Sequence, residues 1–187
     1  SLQEEKLPGE FYDIFEDGGT YILNSKDLNM VSYIPELVKT GIDSFKIEGR
    51  VKTSYYVATV TNAYRKAIDS YFESPDTFDR KGIWVDETLK VSHRDYYTGF
   101  YFEDIRGQYY LDNVYIRNYD VVGTVLDCDE NNLATIRQQN RFFKGDKLEI
   151  LSPSFPSLEF TAEEIYNESG ESVDVMNIAS AIYKTRL

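Results

Sequence analysis

From about Val114 to Leu187 the sequence alternates apolar and polar residues at period two, and this alternation constrains the fold more than any other feature. The run "YDVVGTVLDCDENNLATIRQQNRFFKGDKLEILSP" is punctuated by "DENN" and "KGD", and "NESGE" breaks the continuation toward the C terminus. Short alternating runs separated by turn residues predict closely spaced antiparallel strands and a small β-barrel over residues 121–187. Helices cannot be built on that pattern, because a period of two places apolar groups all round a helical cylinder.

The first hundred residues have a different texture. The glycine-rich start up to residue 19 reads as an extended lead-in. "TYILN" (Thr20 to Asn24) reads as a short buried strand. Leu28, Val31, Ile34, Leu37 and Val38 then fall on one helical face, with Pro35 suited to a first turn and Gly41 to a C-terminus. "DSFKIEG" reads as a second strand. Val57, Val60, Tyr64, Ala67, Ile68 and Tyr71 predict a long amphipathic helix ending near "ESPD", and "DETLKVSHR" reads as a further short helix. Residues 20–72 therefore read β-α-β-α with parallel pairing. Two such units cannot close a barrel, so they form a small open sheet or the last part of a larger α/β barrel. The expected division is 1–107, a linker at 108–120 around "RGQYYLDN", and 121–187.

In α/β sheets, function collects where strands end and loops begin. "NSKDL" and "KIEGR" both occupy such ends, and they direct Lys26, Asp27, Lys46, Glu48, Arg50 and Lys52 toward one face. Arg50 offers a planar fork for phosphate or carboxylate. Glu48 suits proton transfer or the holding of Arg50 or Lys26. Gly49 permits a turn or a close ligand approach. The competing reading is a salt-bridged rim that orders two loops. His93 stands alone beside Arg94, and no Ser-His-Asp or Cys-His arrangement can be assembled locally. The Tyr and Phe cluster from Tyr96 to Tyr110 suits packing, or base stacking.

The chain carries a net charge of −12 and a single cysteine, Cys128. The charge repels nucleic acid overall, so a nucleic-acid contact needs a local basic patch. Residues 121–187 hold 11 acidic and 6 basic residues, and their one basic stretch, "RQQNRFFKGDK", nominates Arg137, Arg141, Lys144 and Lys147 for RNA. One cysteine excludes an internal disulfide and fits a reducing, cytoplasmic setting. No run approaches the ~20 apolar residues of a membrane span, and no signal peptide is visible. Ser1-Leu2 without a preceding Met reads as an internal start.

"NSKDL", "GIDSFKIEGRVK", the "YYVATV…YR" helix and "SHRDYYTGFY" together resemble the C-terminal half of the catalytic region of peptidase family U32, the collagenase-like proteases. The alternating tract resembles that family's appended β-barrel, similar to those of elongation factor Tu. The resemblance implies an upstream barrel-like region as partner. It also implies a site that includes Glu48 and Arg50 as catalytic residues. Asn24, Lys26, Asp27, Lys46, Lys52, Tyr55, Arg65, His93 and Arg94 would contact substrate. Family members are proteases by name, while several support oxygen-independent hydroxylation of a tRNA or ribosomal RNA base, the activity favoured here. A third reading makes the β-barrel a binding module for RNA or protein. Clustered upstream cysteines hold an iron–sulfur centre in such members, and a further cysteine often follows "SKDL". Asn29 stands at that place in this chain. This chain by itself is expected to hold no cofactor, to be inert, and to self-associate through exposed apolar surface.

Overall fold

A computed structural model describes residues 2–3, 5–6, 8–9, 11–12, 14–16, 20–21, 26–102, 115–153 and 156–187. The chain divides into two compact units, Ser1–Asn118 and Tyr119–Leu187.

The first unit opens with two short antiparallel pairs, β1 (Leu2–Gln3) with β2 (Phe11–Tyr12) and β3 (Phe15–Glu16) with β4 (Thr20–Tyr21). The rest of the expected "TYILN" strand lies outside the described residues. A 3₁₀ turn at Val31–Tyr33 leads into α1 (Ile34–Lys39), with Pro35 in its first turn, where no N–H is needed. Gly41 follows at φ 78°, the left-handed conformation that ends helices. The dominant element is α2 (Ser54–Glu73), capped by Thr53, whose hydroxyl accepts from Tyr56 N at 3.2 Å. Its buried face is Thr59, Val60, Ala63 and Ala67.

Three expectations look different among the described residues. Among the described residues "DSFKIEG" forms no assigned strand. Exposure alternates residue by residue over 44–49, and the segment has no ladder partner among the described residues. The helix read at "DETLKVSHR" is shifted upstream to α3 (Ile83–Leu89), because Trp84 stacks on Phe78 at 5.2 Å and anchors the start. The expected parallel β-α-β-α sheet is not seen among the described residues, which leave out most of the "TYILN" strand. Among the described residues the one parallel pair joins β5 (Asp27–Leu28) to β6 (Tyr96–Tyr97), and Tyr96–Tyr97 had read as an aromatic cluster.

The second unit is antiparallel throughout its described residues. In chain order its strands are β7 (Gly123–Cys128), β8 (Leu133–Gln138), β9 (Phe142–Phe143), β10 (Lys147–Ile150), β11 (Leu158–Thr161), β12 (Ile165–Tyr166), β13 (Val175–Met176) and β14 (Ile182–Arg186). A four-stranded sheet runs β12-β14-β8-β7, and β10–β11 and β13–β9 form two further pairs. "DENN", "KGD" and "NESGE" all fall at turns. Alternate residues of β8 and β14 point inward and join Phe142, Ala162, Ile165 and Met176 in one core with Ala134, Ile136 and Tyr183. Among the described residues strand β7 is an edge. Its register shifts between Val125 and Asp127, and Val125 and Leu126 are 41% and 45% exposed.

Gly123 is required by close approach. A Cβ there would lie 2.6 Å from Ile136 Cγ2 and 2.9 Å from the Arg137 carbonyl oxygen. Because one obstacle is backbone, Gly123→Ala is expected to destabilise the second unit by about 1–3 kcal/mol. Urea denaturation checks this.

The Asp129 carboxylate accepts from Asn131 N at 2.8 Å and Leu133 N at 2.9 Å, closing the β7–β8 turn. The Leu133 and Asn131 amides, then Arg186 and Lys184, hold its carboxyl below the usual range. The folded pKa is depressed, so this contribution is present above the unfolded pKa and lost as pH falls through the folded one. The melting temperatures of wild type and Asp129→Asn are therefore expected to differ near neutrality and to converge in acid.

Candidate functional site

Strand β5 brings Asp27 beside β6, through Asp27 N to Asp95 O and Asn29 N to Tyr97 O, each at 3.0 Å. Because Arg94 lies two residues before β6, this pairing carries it to Asp27 across 67 residues of sequence. Asp27 Oδ2 accepts from Arg94 N at 3.1 Å, and Oδ1 accepts from Arg94 Nε at 3.2 Å and lies 3.2 Å from its terminal nitrogen. Lys52 approaches the same carboxylate at 3.7 Å from the turn before α2. The three side chains are 14%, 30% and 18% exposed for Asp27, Arg94 and Lys52.

Tyrosine faces enclose the cations. The Lys52 ammonium lies 4.6 Å from the Tyr115 ring centroid and 5.0 Å from that of Tyr56, and the Arg94 guanidinium carbon lies 5.7 Å from Tyr115. Burial, the Asp27 charge and Tyr115 push the Tyr56 phenol up. Burial pushes Tyr96 up strongly, with Tyr56, Asp27 and Tyr64 adding to it. Tyr64 is raised by burial against the opposing Met30 N–H. All three phenols are therefore neutral donors at physiological pH. Two cations thus face one carboxylate here, on a chain of net charge −12.

A second network braces this locus. Tyr64 Oη donates to Asn29 Oδ1 at 3.2 Å and accepts from Met30 N at 2.7 Å. Asn29 Nδ2 donates to Thr88 Oγ1 at 3.0 Å, and Tyr96 Oη donates to Thr88 O at 2.7 Å. Loop, α2, α3 and β6 are thereby tied together. Asn29, Val31, Thr88, Tyr96 and Tyr97 also line an open cavity of about 300 Å³.

Asn24 lies outside the described residues. Lys26 and Tyr55 are half-buried, the latter in the first turn of α2. Lys46, Glu48 and Arg50 are exposed before α2, and the Glu48 carboxylate accepts from Arg50 N at 2.8 Å. Gly49 serves packing, because a Cβ there would lie 2.8 Å from Val57 Cγ2. Arg65 pairs with Asp69 at 2.6 Å on the exposed side of α2. His93 is 2% exposed and stacks on Tyr96 at 4.2 Å. Its Nδ1 lies 2.7 Å from the Arg94 carbonyl, which can only accept, so Nδ1 carries the proton. Arg137 projects from β8, Arg141 lies over Phe143 at 5.3 Å, Lys144 occupies the turn after β9, and Lys147 begins β10.

Sequence reasoning passed over Tyr56, Tyr64 and Tyr115 as site residues. Tyr56 and Tyr64 stand eight apart, on one face of α2, which was a usable signal. Nothing local marks Tyr115.

The model for peptidase family U32 matches residues 2–109, and that for the peptidase family U32 C-terminal domain matches 117–187. The chain is 38% identical over 176 residues to tRNA hydroxylation protein P1 of Bacillus subtilis (strain 168), covering 92% of this chain and 42% of that protein. It is 37% identical over 182 residues to tRNA hydroxylation protein P of Escherichia coli (strain K12), covering 93% and 38%. A collagenase of Porphyromonas gingivalis is 33% identical over 91 residues, covering 48% of this chain and 25% of that protein. The chain thus spans about two fifths of the length of the two hydroxylation proteins.

Proposed function

The chain belongs to peptidase family U32, and from that premise we propose that it is the C-terminal portion of a factor that supports hydroxylation of a tRNA base. The first unit is then the closing part of a barrel-like α/β domain completed by upstream chain, and the second a small closed β-barrel. The Asp27–Lys52–Arg94 locus carries this reading. It places two cations and several neutral tyrosines together on a chain whose net charge repels nucleic acid elsewhere. Arg94 and Lys52 supply phosphate-binding charge, and Tyr115 and Tyr56 supply faces for a base. The cavity of about 300 Å³ beside Asn29 is at the small end for a ligand pocket, a size suited to one extruded base. Lys46, Glu48 and Arg50 line the mouth of the same site on this reading, with Glu48 and Arg50 nearest the chemistry.

The likeness to a collagenase supports a second reading, a peptidase. Among the described residues no hydroxyl or thiol hydrogen-bonds to His93, whose Nδ1 is committed to Arg94 O. His93 therefore forms no nucleophile–base pair among the described residues.

An iron–sulfur centre needs several thiolates. Cys128 is a single exposed thiol on β7. Asn29 has both amide atoms engaged, Nδ2 with Thr88 and Oδ1 with Tyr64 and Val31 N. These residues do not fit such a centre, so any cluster would draw its ligands from outside the described residues.

The test is deletion of the gene followed by mass analysis of tRNA and ribosomal RNA nucleosides. Loss of a hydroxylated tRNA base is expected. An unchanged nucleoside profile, with loss of peptide cleavage, would replace this reading with the peptidase.

A further inference from the structure

We propose that the β9–β10 turn of the second unit is a stacking platform for an unpaired base of RNA, with Phe143 as its ring and Arg141, Lys144 and Lys147 as its cations. The proposal rests on the tRNA reading above, which supplies the polyanion, and it gives the second unit a contact of its own. Phe143 is 47% exposed, while its neighbour Phe142 is buried in the core. Alternation along β9 sends the two rings to opposite sides, and pairing with β13 sets Phe143 opposite half-buried Val175. The Arg141 guanidinium carbon lies over the Phe143 ring, 5.3 Å from its centroid. An exposed ring beside a planar cation can take a further flat π-system, because every base offers a face and no base edge need be read.

The turn is also fixed. Asp146 N donates to Phe143 O at 3.1 Å, and Gly145 at φ 90° allows the chain to reverse there. The Asp146 carboxylate accepts from Phe143 N at 2.8 Å. Lys144 N donates to Asp174 O and Gly145 N to Ala162 O, each at 2.9 Å. All four amides from Phe143 to Asp146 are thus engaged, and a ring displayed on a rigid backbone costs less to order on binding.

The charges of the tract differ in placement. Asp146 is half-buried and turned onto the backbone, whereas Arg141, Lys144 and Lys147 are exposed. Residues 121–187 hold 11 acids and 6 bases, so three exposed cations within a stretch of seven residues are where this unit repels a phosphate chain least. Asp174 and Glu163 adjoin the turn through its backbone bonds, so the contact is expected to be weak and sensitive to salt. Arg137 stands on a different sheet, opposite Thr124 and Ile182.

The test is the binding of a fluorescent, unstructured oligouridylate to the whole chain at low salt, read by anisotropy, beside an RNA duplex of the same length. The single strand is expected to bind more tightly than the duplex. Phe143→Ala is expected to weaken single-strand binding about tenfold or more and to leave its salt dependence unchanged. Lys144→Gln and Lys147→Gln are each expected to flatten that dependence by about 0.7 in the log–log slope. Lys184→Gln, on the outward side of β14, is the charge-matched control and is expected to leave the stacking contact intact. Melting temperatures show that each variant is folded. No binding by the wild type, or equal binding by Phe143→Ala, overturns the proposal. Full binding by Phe143→Leu also overturns it, because an apolar contact without stacking then suffices and a protein partner fits the turn better. The hydroxylation reading fails separately. Loss of binding in Phe143→Ala with an unchanged nucleoside profile after gene deletion would keep the platform and reject that reading.

Discussion

Asp27→Ala is expected to be the most damaging single change at the candidate site, weakening the fold and removing activity together. The carboxylate faces Arg94 through three contacts and Lys52 through a fourth. Removing one partner from a buried ion pair costs about 3–5 kcal/mol, and the partial exposure of these groups lowers the expectation to about 2–3 kcal/mol. In a protein of the relatives' length, the two released cations would no longer be held at a fixed distance from Tyr115. Losing the placement of one charge-assisted contact, about 1.5–3 kcal/mol, corresponds to roughly a tenfold to hundredfold fall in rate at ~1.4 kcal/mol per decade. Arg94→Lys is expected to keep most of the stability and lose most of the activity, since it retains charge without the fork. Paired measurement of melting temperature and hydroxylated-nucleoside yield decides the matter. An Asp27→Ala protein that melts normally and remains active would remove the cluster from consideration.

Phe142→Ala is expected to have the largest effect on folding. Phe142 is 2% exposed in the core of the second unit, and truncating a buried Phe costs about 3–5 kcal/mol. A domain of this size often has little more than about 5 kcal/mol of total stability. The variant should therefore lose the antiparallel unit's unfolding transition while α2 and its partners persist in the first unit. The adjacent Phe143 is a matched control. It is 47% exposed and carries Arg141 over its ring, so Phe143→Ala is expected to cost only about 0.5–1 kcal/mol. Circular dichroism during urea titration separates the two outcomes. Equal effects would mean that burial does not set the stability of this unit.

What the sequence revealed depended on the range of the interaction responsible. Helix α2 was legible because its apolar spacing and the Thr53 cap are local, although its buried face centres on Thr59, Val60, Ala63 and Ala67 and leaves Val57 40% exposed. Pro35 and Gly41 marked a helix start and stop for reasons confined to their own backbones. The turns of the second unit were legible for the same reason. The alternation of "SFKIEG" was also correct as a side-chain pattern, yet pairing is decided by another chain segment, and period alone cannot supply one. At the site, Asp27, Lys52 and Arg94 each stood out as charges near element ends. Their convergence depends on the β5–β6 pair, which joins residues 69 apart and has too few residues to show any periodicity. Tyr115 enters from beyond that pair and was invisible for the same reason.

The register shift in β7 affects how the second unit behaves when crowded. A straight edge strand bearing Val125 and Leu126 at 41% and 45% exposure would be a template for indefinite strand-upon-strand growth. The extra residue between Val125 and Asp127 bends that edge, and Asp127 places a carboxylate beside the kink. A neighbouring molecule therefore meets an irregular ladder and a charge where it would need a flat, uncharged one. Such irregularity is one way an apolar edge is kept from acting as a template for open-ended pairing.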